Sequence, residues 1–372
     1  MFYNVIALGW GIHVRTIMEK KRLIGLDIFR IIAAFVVYMY HAALLFNCDF
    51  GIFRKFANMG ALFMTGFFLL SGFVIFSTNK QQDLMKVSAL TPFYLKRFVG
   101  LMPPYCFITL VYIFFYSEET VAERLYLAPI EFLGIQTAFP QLSGVFHNGG
   151  TWFISCLLLC YLLYPFFQEI VKQLSTKGKI IIIIVCCIIQ IVYPIVAWKL
   201  MMSLYSNPFF RIPEFFIGVA LGSLAEDLDT QKIPEFFFSL KAFAVELALL
   251  VVCITLTVDT SNIVKDCTLY NWITLPFVIV MLLSLSRVEC TNRTAAKVIR
   301  YLSAVTYSFY LVQFFIWNPV RSVLNRLGRE DNWLKIGLSF GACLVLSILL
   351  YEIVEKPCTK YLKKKLKNAE HV

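Results

Sequence analysis

The chain has 372 residues, of which 59% are apolar and only 15% are charged, whereas soluble domains are nearer half apolar and a quarter charged. This composition excludes a soluble enzyme and predicts an all-α polytopic membrane protein, since the alternation typical of membrane β-barrels is absent. The net charge of +11 does not indicate nucleic-acid binding. Lys and Arg concentrate in short loops and near the C-terminus, where they interact with the lipid bilayer surface.

Residues 1–20 form a separate leader in this interpretation. An apolar run at 2–12 precedes the basic cluster at 20–22, which is the reverse of the order in a secretory signal peptide. We expect the leader to be interfacial or loosely ordered, or to come from an over-extended start site. A transmembrane domain at 21–360 and a basic cytoplasmic tail at 361–372 complete the predicted organisation.

Apolar segments predict about ten membrane-spanning helices. They lie at 23–46, 58–76, 98–116, 151–167, 180–198, 212–225, 236–258, 269–285, 301–320 and 334–354. The sixth is short, and the segment 125–139 is predicted to be interfacial or re-entrant because Pro129 and Glu131 interrupt it. An even number of spans places both termini on one side. Lys and Arg are more numerous in the loops of that side, which predicts that it is cytoplasmic.

The first predicted span carries Asp27, Arg30 and His41, although ionisable groups are unfavourable inside a membrane. Arg30 and His41 are about 16 Å apart along a helix and return to nearly the same azimuth. Tyr38 precedes His41 by three residues, as Asp27 precedes Arg30, so we expect all four near one stripe. A simple membrane-edge pair with a snorkelling Arg30 is the alternative, but it leaves His41 unexplained.

These side chains have the chemistry that acyl transfer to a hydroxyl requires. A histidine can act as the general base for the attacking alcohol, and a guanidinium near the cytoplasmic face can hold a phosphate of an acyl-CoA donor. Lys96 and Arg97, at the start of the third span, add positive charge at the same face. Ordinary membrane topology also accounts for both residues.

Other candidate residues have two interpretations each. Ser71, beside Gly72, either bonds across a close helix pair or only packs there. Trp152 follows the long outer loop 117–150 and belongs either to an acceptor site or to an ordinary interfacial position. Glu214 either pairs with a nearby arginine or faces a cavity.

Two further observations concern polar groups within the spans. Tyr310 and Gln313 are predicted to share one face of the ninth span. The eleven cysteines show no metal-ligand spacing, so no metal site is predicted, and they are interpreted as packing residues.

Seven short motifs occur in order along the chain. They are GLDIFR at 25–30 followed by His41, FFLLSGF at 67–73, FYLKR at 93–97 with Pro103, TWF at 151–153 with Tyr161 and Pro165, FRIPEFFIG at 210–218, YSFYLVQ at 307–313 and EKP at 355–357. Together they resemble the acyltransferase 3 family, bacterial inner-membrane O-acyltransferases that modify cell-surface carbohydrates. The chain differs from common family patterns at Gly100, Leu157 and Gln313, which often correspond to Arg, Glu and His.

The resemblance implies a ten-helix domain in the bacterial cell membrane and acyl-CoA, usually acetyl-CoA, as co-substrate, with no permanently bound cofactor. It implies a carbohydrate acceptor, His41 as catalytic base, and Arg30 and Arg97 as essential residues on the donor side. The chain would acylate the glycan directly or pass the acyl group to a separate extracytoplasmic transferase.

A different class of function is transport of a polysaccharide or lipid-linked sugar, with His41 and Arg30 binding a polar cargo. Inverted repeats would favour a transporter, and the sequence contains none that we detect. The sequence leaves open the acceptor, the acyl chain, the oligomeric state and which group crosses the membrane.

Overall fold

The computed structural model describes residues 23–115, 120–139, 146, 149–199, 204–229, 233–258, 267–329 and 331–369. All regular secondary structure in these ranges is helical, which confirms the all-α prediction. The predicted leader, the acidic start of the outer loop at 118–119 and most of the loop's end at 140–148 lie outside the described residues.

Thirteen α-helices account for most of the described chain. They are α1 (Ile24–Phe46), α2 (Arg54–Asn58), α3 (Phe63–Asn79), α4 (Val87–Phe115), α5 (Val121–Leu133), α6 (Trp152–Gln173), α7 (Thr176–Lys199), α8 (Pro208–Asp229), α9 (Leu240–Thr257), α10 (Asn271–Leu285), α11 (Arg293–Arg326), α12 (Asn332–Leu350) and α13 (Lys356–Ala369). A π-helical turn, Tyr351–Glu355, joins α12 to α13.

Nine helical stretches in the described ranges are long and apolar enough to cross a membrane, which confirms a multi-pass protein. Helix α11, which contains the ninth predicted span, is not among them because its polar side chains lower its mean hydropathy. At 34 residues it is about 50 Å long, and it packs against α1 and α12. It is therefore long enough to be a tenth crossing, while the cytoplasmic location of the termini stays a prediction.

The sixth predicted span, 212–225, was wrong in length, because α8 has 22 residues. The sequence pattern stopped at the first charged residues, whereas the helix continues through Glu226 and Asp227. Lys80 lies 2.7 Å from Glu226, and Lys179 lies 2.8 Å from Asp227. Hydropathy locates the apolar part of a helix and misses a final turn whose charges are paired.

The third predicted span, 98–116, was also too short, because α4 begins at Val87. The first three turns of α4 contain polar residues, so hydropathy does not identify them as part of the span. These turns place Lys96 and Arg97 inside the helix. The segment predicted at 125–139 overlaps α5, whose 13 residues extend about 20 Å and are too short to cross a bilayer.

Helices α3 and α8 approach each other closely in the core, and glycines make the approach possible. A Cβ added to Gly72 would lie 2.1 Å from the Phe215 carbonyl oxygen, and one added to Gly218 would lie 2.0 Å from that of Leu69. No side chain fits at such distances. The prediction that Gly72 permits a close helix approach is therefore confirmed.

Arg211 and Glu214 form a buried ion pair beside this helix contact. Arg211 Nη1 lies 2.8 and 2.9 Å from the two carboxylate oxygens of Glu214, and the Thr65 hydroxyl donates to Glu214 Oε1 at 2.9 Å. Four aromatic ring centroids lie 5.1 to 5.7 Å from the Arg211 guanidinium. Of the two interpretations of Glu214, pairing with an arginine is the one that the structure confirms.

Candidate active site

An interior cavity of about 150 Å³ lies between α1, α3, α4, α6 and α11. Apolar side chains form most of its wall. Its polar lining residues are Arg30, Ser71, Tyr161, Thr306, Tyr307, Tyr310 and Gln313. Arg30, Ser71, Tyr310 and Gln313 were candidates from the sequence, so a single cavity brings together four of the predicted site residues.

Arg30 lines the cavity, and Asp27 and Ser303 hold it in position. Arg30 Nη1 donates to Ser303 Oγ at 3.1 Å, and Ser303 Oγ donates to Asp27 Oδ1 at 2.6 Å. Arg30 Nη1 lies 3.6 Å from the same carboxylate oxygen. The predicted pair therefore exists, but the Arg30 side chain lines the cavity, which a purely snorkelling arginine would not do.

His41 is not among the residues that line the cavity but lies beside it. Val37, one turn earlier on α1, and Gln313 on α11 both line the cavity. The ring of Phe314, which follows Gln313, has its centroid 4.9 Å from that of His41. Trp317 and Tyr40 lie at 5.2 and 5.0 Å from the imidazole. Within the described part of the chain no residue hydrogen-bonds to the imidazole, so aromatic contacts hold this ring.

Tyr38 does not belong to the cavity, although its spacing had placed it near the stripe of His41. Its hydroxyl donates to the Ile336 carbonyl oxygen on α12 at 2.9 Å, and its ring packs on Phe340 at 5.3 Å. Side chains three residues apart are separated by about 300° around the helix axis, so Tyr38 and His41 point in directions that differ by about 60°. That offset is sufficient to turn Tyr38 towards α12.

A larger pocket, about 800 Å³, lies at the start of α4, where Lys96 and Arg97 are among its lining residues. The Arg97 guanidinium lies 5.4 Å from the ring centroid of Phe93 and 5.9 Å from that of Tyr161. Tyr161 also lines the interior cavity. Arg97 and Tyr161 therefore mark the region where the two cavities approach each other.

The remaining candidates have supporting positions. The Tyr161 hydroxyl is within hydrogen-bonding reach of the Ser71 side chain. Tyr310 donates to the Gly150 carbonyl oxygen, and Gln313 Nε2 donates to the Tyr310 carbonyl oxygen at 3.2 Å. These contacts fix the cavity wall and connect α11 to the end of the outer loop.

Trp152 lies outside the cavity lining and packs around the buried ion pair. Its ring centroid is 5.3 Å from the Arg211 guanidinium and 4.8 Å from the Tyr205 ring. The structure thus gives Trp152 a packing role at the start of α6.

Sequence reasoning missed Ser303 and did not single out Tyr161 for the site. Ser303 carries no charge, but Tyr307 and Tyr310 follow it at i+4 and i+7 on α11, and that polar stripe was the available signal. In the sequence, Tyr161 was identified only as part of the motif that begins with TWF at 151–153. Nothing in its local spacing indicated that it would reach Arg97 on another helix.

Comparisons with known proteins complete this description. No curated protein and no solved structure matches the chain significantly. The family model described as an acyltransferase domain, that of the acyltransferase 3 family, matches residues 23–352. This range includes all lining residues of the cavity and of the pocket at the start of α4, as well as His41. The chain therefore belongs to the acyltransferase 3 family and is a multi-pass membrane acyltransferase.

Proposed function

We propose that the protein is a bacterial inner-membrane O-acyltransferase. It transfers an acyl group, in the first instance acetyl, from cytoplasmic acyl-CoA to a hydroxyl of a cell-surface carbohydrate or its precursor. The observation that carries this proposal is the interior cavity, which Arg30 lines and beside which His41 packs against Phe314. Family membership supports acyl transfer, and the separation of about 16 Å between Arg30 and His41 along α1 supports separate positions for donor and acceptor.

The pocket at the start of α4 is the proposed site for the phosphates of the donor. Its volume of about 800 Å³ falls within the usual range for ligand pockets, about 300–1,000 Å³. Lys96 and Arg97 supply the positive charge, and arginine matches phosphate geometry. From this pocket the thioester would pass Tyr161 and enter the interior cavity.

The interior cavity supports a short acyl chain. Its volume of about 150 Å³ is roughly half of the lower limit for pockets that enclose drug-sized ligands. Phe67, Phe153 and Leu157 are among the apolar side chains that enclose it. An acetyl group needs less space than these walls leave, whereas a long fatty acyl chain needs more.

His41 is the proposed general base. Its imidazole removes the proton from the acceptor hydroxyl as that oxygen attacks the thioester carbonyl carbon. A carbon–oxygen bond forms, the carbon–sulfur bond breaks, and the leaving thiolate takes up a proton. The products are the carbohydrate ester and free CoA.

Arg30 has a different role in this proposal, because it lies about 16 Å from His41 along α1. At that separation the guanidinium cannot stabilise the carbonyl that His41 serves. We assign it to positioning of the donor, with Asp27 and Ser303 fixing its orientation.

Mass spectrometry of surface glycans tests this function. Cells without the gene, and cells that carry only His41→Ala, should lose O-acyl esters while they export the same amount of glycan. Loss of glycan from the surface with acylation unchanged would contradict the proposal and favour a polysaccharide or lipid-linked sugar transporter. Ester formation by the purified protein alone would show direct action, and dependence on an added periplasmic fraction would indicate a separate extracytoplasmic transferase.

A further inference from the structure

The final helix, α13, packs against α4 beside the pocket that carries Arg97. The Thr359 hydroxyl donates to the Val99 carbonyl oxygen at 3.4 Å. Lys363, one turn later, is an electrostatic neighbour of Arg97. The basic C-terminal helix is therefore part of the protein surface around the proposed donor pocket.

Lys363 is on the side of α13 that faces α4. It follows Thr359 by four residues, and residues four apart share a helix face. Its neighbours include one carboxylate, Glu355, whose Oε2 accepts a hydrogen bond from Ser308 at 2.7 Å. Lys363 and Arg97 are thus two neighbouring cations on facing helices, and Glu355 is a carboxylate neighbour of Lys363. Like charges at close range repel, and a bound anion would relieve that repulsion.

The π-helical turn before α13 determines which lysines face α4. Such a turn contains one additional residue, which rotates the following side chains by about 100° around the axis. Lys365 lies about 200° from Lys363, and its Nζ packs 5.1 Å from the ring centroid of Tyr361. The same helix therefore offers one lysine on the side that faces α4 and one on a different side.

We propose that Lys363 is a donor-binding residue that, together with Arg97, holds a phosphate group of acyl-CoA at the entrance to the pocket. This inference rests on the proposed function and deepens it by adding α13 to the donor site. Lys363 is exposed, so a ligand can reach its ammonium group. Two cations on separate helices provide contacts from two directions, which a single phosphate accepts through its several oxygens.

The test compares Lys363→Gln with the matched control Lys365→Gln in neutral detergent without anionic lipid. The dissociation constant of acetyl-CoA and its KM should rise about threefold to tenfold for Lys363→Gln, while kcat is unchanged. Lys365→Gln should match the wild type, and Lys363→Arg should retain most of the affinity. Repeating the binding measurement with dephospho-CoA identifies the phosphate: an effect seen only with intact CoA assigns the ribose phosphate, and an effect with both ligands assigns the diphosphate.

Equal acetyl-CoA affinities of Lys363→Gln and wild type in detergent would overturn the inference. If an effect arose only in nanodiscs containing phosphatidylglycerol, the phosphate would belong to a lipid headgroup, and the inference would again be overturned. Weakened binding in Arg97→Gln with unchanged binding in Lys363→Gln would reject the role of α13 and leave the donor pocket in place. Failure of the wild-type protein to bind acetyl-CoA would reject both the role of α13 and the proposed donor pocket.

Discussion

Removal of the carboxylate from the buried Arg211–Glu214 pair should strongly destabilise the protein. Arg211 is 1% exposed and Glu214 is fully buried, so Glu214→Gln removes from the core the carboxylate that pairs with the Arg211 guanidinium. Breaking such pairs costs about 3–5 kcal/mol. Glutamine can still accept hydrogen bonds, and aromatic rings still face the guanidinium. We therefore expect the lower end of that range, about 3 kcal/mol.

Glu226 on the same helix provides the control. It pairs with Lys80 at 2.7 Å, but the two side chains are 36% and 44% exposed. Exposed pairs contribute about 0–1 kcal/mol. Glu226→Gln should therefore lower the free energy of unfolding by less than a third of the amount expected for Glu214→Gln. Unfolding by SDS in mixed micelles, followed by tryptophan fluorescence, measures both variants against wild type. Equal midpoints for Glu214→Gln and Glu226→Gln would refute the argument that burial makes the first pair important.

Three further predictions concern helix packing and the site. Gly218→Ala should destabilise the protein and lower its yield because its Cβ would meet a backbone oxygen at 2.0 Å, whereas Gly100→Ala, with open space around it, should leave the SDS midpoint unchanged or raise it. Asp27→Asn should reduce kcat/KM for acetyl-CoA by about tenfold, because Arg30 loses its charged partner; an unchanged value would show that Arg30 needs no such support. Leu157→Ala shortens a side chain in the cavity wall and so enlarges the cavity. The rate of transfer from butyryl-CoA should then rise relative to that from acetyl-CoA in competition assays, and an unchanged ratio would show that the cavity does not select the acyl chain.

Much of the fold was predictable because hydropathy and helical spacing report on one helix at a time. The first span is found almost to the residue, and the close approach at Gly72 follows from its small side chain. Ends such as those of α4 and α8 were missed because charged and polar turns continue these helices beyond their apolar segments. Hydropathy carries no information on such turns.

The site was predictable only in part, because spacing gives the face of a helix but not the helix that covers it. Arg30 and Gln313 were found and line one cavity, whereas Tyr38 turned towards α12. Ser303 was missed because it carries no charge, and its only signal was the polar stripe that it forms with Tyr307 and Tyr310. The orientation of Lys363 depends on a π-helical turn, which no sequence pattern indicated.

The central claim is that His41 is the base for acyl transfer from acyl-CoA, and CoA release by the purified protein tests it most directly. Thiol formation from acetyl-CoA should fall by about 10²- to 10⁴-fold in His41→Ala, while the dissociation constant of acetyl-CoA remains close to that of wild type. Tyr40→Phe, next to His41, is the matched control and should retain turnover. Retained CoA release in His41→Ala would contradict the account.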